Sequence, residues 1–226
     1  MCDAPAVSRE HVPAACFFPG RKDSLNGVDQ RRNLITVPSC DQHNSKKSKD
    51  DEYLWLIILA SDALNECGRR MITTKIKRSL KRRPALGQSL LRDATVAQIF
   101  DSARDEWVNA TKTTFDTRRV YGAMDMFGRA LFFHHFQSKW RGAVKALAHF
   151  AHHSSAMPVA QRRSFRETVR FTDTIFQNTA SYGENQDVFF YQVYVEAERP
   201  PFLMRATFYG RAVVSLAFTL KPMGPG

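Results

Sequence analysis

Ser8-Arg9-Glu10-His11-Val12-Pro13, then Arg32-Asn33-Leu34-Ile35-Thr36-Val37, then Cys40-Asp41-Gln42-His43-Asn44 carry the chain's most suggestive chemistry. They are an acid–histidine pair, an asparagine beside an apolar run, and a Cys-x-x-His-Asn turn. Cutting a phosphodiester needs an activated water, positive charge near the leaving oxygen, and a geometry that lines the two up. His11 can take the water's proton if its imidazole is held neutral and oriented. Glu10 alternates with His11 on a strand, so both reach one site only where the backbone bends or bulges. Asn44 offers a neutral oxygen on the first turns of the helix that follows. A carboxylate and an amide, completed by water, suit Mg²⁺ or Mn²⁺ without excluding softer metals.

Glu10-His11, Asn33-Leu34 and Cys40-x-x-His43-Asn44 resemble the HNH endonucleases, also called the ββα-metal nucleases. Glu-His-Val-Pro, Leu-Ile-Thr-Val-Pro-Ser-Cys and Lys-Asp-Asp-Glu-Tyr together are similar to a predicted bacterial subgroup of that family. The resemblance covers roughly residues 1–55, with a fainter likeness at 130–136 and 208–214. It implies His11 as general base, Glu10 and Asn44 as ligands of one catalytic divalent ion, and Asn33 as the residue that braces the loop and orients the base. Asn44 stands where many members carry His, a variant expected to weaken metal affinity without abolishing the site. The implied activity is hydrolysis of DNA to a 5′ phosphate, in a bacterial or phage setting such as antiviral defence. Many members also hold a structural zinc with two Cys-x-x-Cys pairs. Here Cys40 and His43 form the second pair, and Cys2 corresponds to the second cysteine of the first. A tetrahedral zinc normally takes four protein ligands, so three are expected here. The missing partner would fall two positions upstream of Met1, which predicts either an upstream start or a weakened zinc site.

Composition supports a polyanionic partner. Thirty-three Lys and Arg against 22 Asp and Glu give 226 residues a formal net charge of +11, which favours DNA, RNA or an acidic membrane surface. The nuclease motif beside that charge makes nucleic acid the better reading, and the resemblance implies DNA above RNA. The cysteines Cys2, Cys16, Cys40 and Cys67 are too few and scattered for a disulfide framework and fit a reducing compartment. Met1-Cys2-Asp3-Ala4-Pro5 lacks a basic start and an apolar stretch, so no signal peptide is expected. The longest apolar run, Tyr53 to Ala60, is far short of the roughly 20 residues of a spanning helix. The expectation is a soluble cytoplasmic protein with no membrane association. A protein partner or homo-oligomer stays open.

The elements that must position these residues can be outlined. Residues 8–13 and 33–38 read as short strands, joined by a loop with Gly20, Gly27 and many charges. A helix begins near Asp41 and runs, with a break, through Leu54-Trp-Leu-Ile-Ile-Leu59 to Asn65. Its apolar residues on nearly every side imply burial between neighbours. That favours a compact protein: a nuclease module at 1–55 and a helical and antiparallel-sheet region at 56–226. A basic helix is expected near 69–83, where Arg69, Arg70, Lys75, Lys77, Arg78, Lys81, Arg82 and Arg83 occur without an acid. They are candidate phosphate contacts, with a solvated helix face as the alternative. A short helix is placed near 95–106, with a strand after it, and a long helix from Arg118 to about His152. His149 and His153 have metal-ligand spacing on a helix, but core or helix-end roles are favoured over ligation. Residues 187–195, 203–209 and 212–219 read as a three-stranded meander, with Pro200 and Pro201 in a turn. Tyr191, Tyr194 and Tyr209 could stack bases, though packing is the favoured role. No internal repeat is present.

The expected fold is therefore α+β: an N-terminal ββα-metal module, a helical middle and a C-terminal antiparallel meander. The expected function is a metal-dependent DNA endonuclease. The alternatives are a non-catalytic nucleic-acid-binding protein with a degenerate module, or a nuclease subunit that a partner activates.

Overall fold

The structure, a computed structural model, describes residues 4–61, 64–101, 106–150, 158–196 and 200–220, without the side chains of 41–48, 86, 89–91 and 99–101. It is a mixed helix-and-sheet fold with an antiparallel sheet toward the C-terminus. Strands β1 (Ser8–His11) and β2 (Thr36–Ser39) pair antiparallel, Glu10 opposite Val37 and His11 opposite Thr36. Helix α1 (Asp41–Leu59) follows directly, with Cys40 at its N-cap position. From Tyr53 to Leu59 every α1 side chain is buried, as expected of a helix apolar on all sides. The 55/56 boundary of the expected modules lies inside α1. One continuous buried core runs from Val12, Phe17 and Val37 through α1 to the C-terminal strands.

The basic segment is broken rather than one smooth helix. It contains α2 (Glu66–Met71), a π-turn (Ile72–Ile76), α3 (Lys77–Arg82) and α4 (Pro84–Leu91). Asn65 caps α2, accepting from the Gly68 amide at 3.0 Å while its own amide donates to the Asp187 carbonyl at 2.7 Å. Met71 and Ile76 are buried and Leu80 is half-buried. The π-turn carries an extra residue per turn, so it shifts the inward face between α2 and α3.

Two expectations are corrected in the next stretch. The short helix near 95–106 is instead strand β3 (Thr95–Asp101), paired antiparallel with β4 (Glu106–Lys112). The helix from Arg118 does not reach His152. Helix α5 (Thr117–Phe136) is capped by Asp116, which accepts from the Arg119 amide, and ends at Gln137 in the left-handed region, φ 53°. Strand β5 (Ala143–Ala148) then begins. Helix α6 (Val159–Phe176), which was not expected, leads to β6 (Ser181–Tyr182).

The expected meander is present as β7 (Phe189–Tyr194), β8 (Phe202–Phe208) and β9 (Ala212–Thr219), flanked by β5 and β6 in the order β5-β9-β8-β7-β6. Strand alternation sorts its faces. Phe189, Tyr191, Met204, Ala206, Phe208, Val214, Leu216 and Phe218 form one buried face against α5. Gly128 permits that approach, since a Cβ there would sit 3.1 Å from the Val144 side chain and 3.3 Å from Leu216. Gln192, Arg205 and Ser215 lie across from one another on the opposite face. There the Gln192 amide donates to the Phe176 carbonyl at the end of α6, and Arg205 pairs with Asp173. Among the described residues no helix is long and apolar enough to cross a membrane.

Candidate active site

Strand β1 ends at His11, and the chain turns inward at Val12 and Pro13, both buried. The turn lets Glu10 and His11, neighbours in sequence, open onto the same cleft of about 990 Å³. Its walls come from β1, the 3₁₀ turn Ala15–Phe17, the middle of α1, the α3–α4 junction and the start of α5. Arg9, Lys49, Arg83 and Arg119 supply cations; Glu10, Asp51 and Glu52 supply carboxylates. Ser39 on β2 donates to Glu10 at 3.4 Å, tying the carboxylate to the partner strand. Arg83 pairs with Glu52 and Arg119 with Asp50, while Arg119 also lies 4.3 Å from the centre of the Tyr53 ring. His11 is exposed at the cleft mouth, within reach of a solvent nucleophile.

Asp51 was missed by the sequence reading. It is buried, 7 % exposed, and lines the cleft. Its signal was available: Asp51 lies seven residues after Asn44, so both fall on one stripe of α1. Asn44 is the fourth residue of that helix, but its side chain, like that of His43, lies outside the described residues. Cys2 lies outside them as well, so only Cys40 of the three expected zinc ligands is described, and it is buried. Among the described residues no three His, Cys, Asp or Glu side chains cluster as a metal cage. Glu10 and Asp51 are hard oxygen donors. They fit an ion such as Mg²⁺, which keeps most of its waters and takes one or two carboxylates.

Asn33 does not line this cleft. It sits in the left-handed region at φ 53°, and its amide donates to Glu184 at 3.0 Å, fixing the β1–β2 loop to the large sheet. It lines a second cleft, of about 950 Å³, with Arg9, His134, Tyr182, Glu184 and Tyr191. Arg9 is common to both. Tyr209 is fully buried, in the packing role favoured for it over base stacking. Its hydroxyl donates to the Phe17 carbonyl at 2.6 Å and accepts from the Trp55 indole at 3.0 Å.

The eight cations of the basic segment do not act as one face. Lys75 turns inward, donating to the Cys16 carbonyl at 2.6 Å, with its ammonium 5.1 Å from the Trp55 ring centre. Burial, and then the Arg31 charge, pull its pKa down to about 8. Arg78 forms two hydrogen bonds to the buried Asp23 carboxylate, at 2.7 and 2.8 Å. Arg83 is engaged by Glu52, and Arg69 donates to the Leu64 carbonyl. Arg70, Lys77, Lys81 and Arg82 remain exposed. Lys75 and Arg78 are thus turned toward protein partners, while Arg69 and Arg83 stay exposed beside their own bonds. The physical reason is that a helix packed on one side must turn some of its residues inward. Cys16 lines the first cleft, but burial pushes its thiol up to about 12, so it is no nucleophile at neutral pH. His149 bonds to the Ser215 hydroxyl at 2.9 Å; its expected spacing partner His153 lies outside the described residues. Comparison with protein-family models, curated proteins and solved structures found no match for this chain.

Proposed function

We propose that this protein is a metal-dependent nuclease of the ββα-metal type that hydrolyses phosphodiester bonds in DNA. The observation that carries the reading is the shared cleft of Glu10 and His11, walled by four cations and formed where a β-hairpin runs directly into α1. In this reading His11 accepts the proton of the attacking water. Its exposure at the cleft mouth suits that exchange. Arg9, Lys49, Arg83 and Arg119 draw the phosphate backbone into the cleft. Glu10 and Asn44 would hold a hard divalent ion, with Asp51 as a further oxygen donor or as a hydrogen-bond acceptor for its waters. When bound, such an ion supplies positive charge beside the departing 3′ oxygen. Asn33 braces the loop behind the site through Glu184 rather than touching His11. A structural zinc held by Cys2, Cys40 and His43, three of the usual four ligands, belongs to the same proposal, as does a cytoplasmic setting.

The test is incubation of the purified protein with plasmid DNA, single-stranded DNA and RNA in Mg²⁺, Mn²⁺ or EDTA. Divalent-dependent cutting is expected for the wild type and none for His11→Ala, with DNA binding retained. Asn44→Ala should recover in part at raised metal concentration, because it lowers occupancy and leaves the base in place. Undiminished turnover in His11→Ala would rule out the mechanism.

A further inference from the structure

The second cleft lies between the β1–β2 hairpin, the C-terminal end of α5 and the edge strand β6. We infer that it seats one unstacked nucleobase beside the scissile phosphate, so that the substrate is single-stranded or locally opened DNA. The inference rests on the nuclease reading for its ligand class and adds the strandedness that reading leaves open.

Three observations support it. The first is an aromatic platform. The Tyr182 and Tyr191 rings stack with centres 5.3 Å apart and planes 28° apart, and His135 meets Tyr182 edge-on at 5.0 Å. Tyr191 is buried and fixed, while Tyr182 is 41 % exposed on a strand of two residues. A base laid on Tyr182 would extend an existing stack, an interaction open to every base because each has a π-face. Burial lowers the pKa of both His134 and His135, so the platform is uncharged at neutral pH. The second is the polar rim: beyond the Asn33–Glu184 bond and the Gln137 bond to the His134 carbonyl, the remaining hydrogens and oxygens of these two amides and of the Glu184 carboxylate supply donors and acceptors at the scale of a base edge. The third is continuity. Arg9 lines this cleft and also the Glu10–His11 cleft, and Thr36 accepts two hydrogen bonds from its guanidinium, at 2.8 and 3.2 Å. One backbone phosphate at Arg9 would therefore place a base in one cleft and the next phosphodiester in the other. A base held in duplex cannot enter such a pocket until it leaves the stack.

The test reads binding in EDTA, where nothing is cut, by fluorescence anisotropy of a labelled 12-nucleotide single strand, with duplex of the same sequence and an abasic single strand as comparison probes. The wild type should prefer the single strand over both. Tyr182→Ala should lose single-strand affinity by roughly five- to hundredfold, with duplex binding unchanged, and Tyr182→Phe should stay close to wild type. The abasic probe reports on the wild-type protein, so it decides the matter even where a variant fails to fold. Equal affinity of the wild type for normal and abasic single strands overturns the inference, as does unaltered single-strand binding by folded Tyr182→Ala. Cleavage is scored separately. Base-dependent binding without cutting in Mg²⁺ or Mn²⁺ supports the base site and removes the nuclease reading. Cutting with base-independent binding does the reverse.

Discussion

Tyr209→Phe isolates the joint between the candidate catalytic hairpin and the large sheet. The ring itself is kept, so packing changes little and only the hydroxyl is lost. That hydroxyl is fully buried and serves two groups, the Phe17 carbonyl and the Trp55 indole N–H. Leaving a buried polar group without a partner costs about 1–3 kcal/mol. With two such groups, one of them a carbonyl with a second lone pair, the loss should come to about 3 kcal/mol. For a chain of this size about 1 kcal/mol moves Tm by roughly 2–4 °C, so the melting point should fall by roughly 6–12 °C. Phe17 closes the 3₁₀ turn whose Ala15 and Cys16 line the candidate active site, so the proposed nuclease activity should lose heat resistance in parallel. Calorimetry and urea titration at pH 7 measure the first effect, and activity after timed heating the second. A stability change below about 0.5 kcal/mol, the size of an ordinary surface substitution, would refute the argument that this hydroxyl ties the two parts together.

Charge reversal at Lys81 and Arg82, exposed on α3, should weaken binding to all DNA sequences alike and make the slope of log affinity against log salt shallower by roughly 0.7–0.9 per lost contact; an unchanged slope would show that they face only solvent. His149 is pulled down to about 4, by burial first and then by Arg205, with Asp173 opposing. Between pH 6.5 and about 4 the unfolded chain therefore takes up a proton that the folded one refuses, and stability should fall as pH drops through that window. His149→Gln should flatten the decline seen in urea midpoints; an identical pH dependence would count against it. Lys75, at about 8 in the fold against an ordinary 10.5, sheds its proton in the folded state first. Stability should rise from pH 8 toward 10.5 through this group, and the rise relative to Lys75→Met should vanish if its burial is not the cause.

The candidate site was legible in the sequence where residue type alone carries the message. Glu10 and His11 could be read as partners, and the need for a turn after them followed from strand alternation. Asp51 was harder because it lies within Lys49-Asp50-Asp51-Glu52, where any acid can pass for surface. Its burial is set by what packs against α1, not by its neighbours in sequence. The inward turn of Lys75 was hidden for the same reason: a lysine whose amine caps backbone carbonyls beside an indole has the same sequence context as one in water. For the fold, β7 to β9 were readable from their alternation. Ala143-Val-Lys-Ala-Leu-Ala148 was not, since alanine, lysine and leucine all favour helix. Pairing with β9, Leu147 opposite Ser215, overrode that preference. Residues 95–101 lack strong polar alternation, and their strand form depends on β4. Helix α6 carried usable signals in Pro158 at its start and the Arg163–Glu167 pair four residues apart.

Among the described residues, strands β3 and β4 pair only with each other, and Val96 and Trp107 on them are 79 % and 67 % exposed. A ribbon of two strands has little stability of its own in water. Its backbone amides should therefore exchange with deuterated solvent through local opening, far ahead of those in β8 and β9, whose release requires the whole molecule to unfold. The protein thus carries two clocks, a fast one in the ribbon and a slow one in the large sheet. Anything that grips the ribbon would slow the first and leave the second unchanged, so exchange at residues 95–112 offers a direct readout of a binding event there.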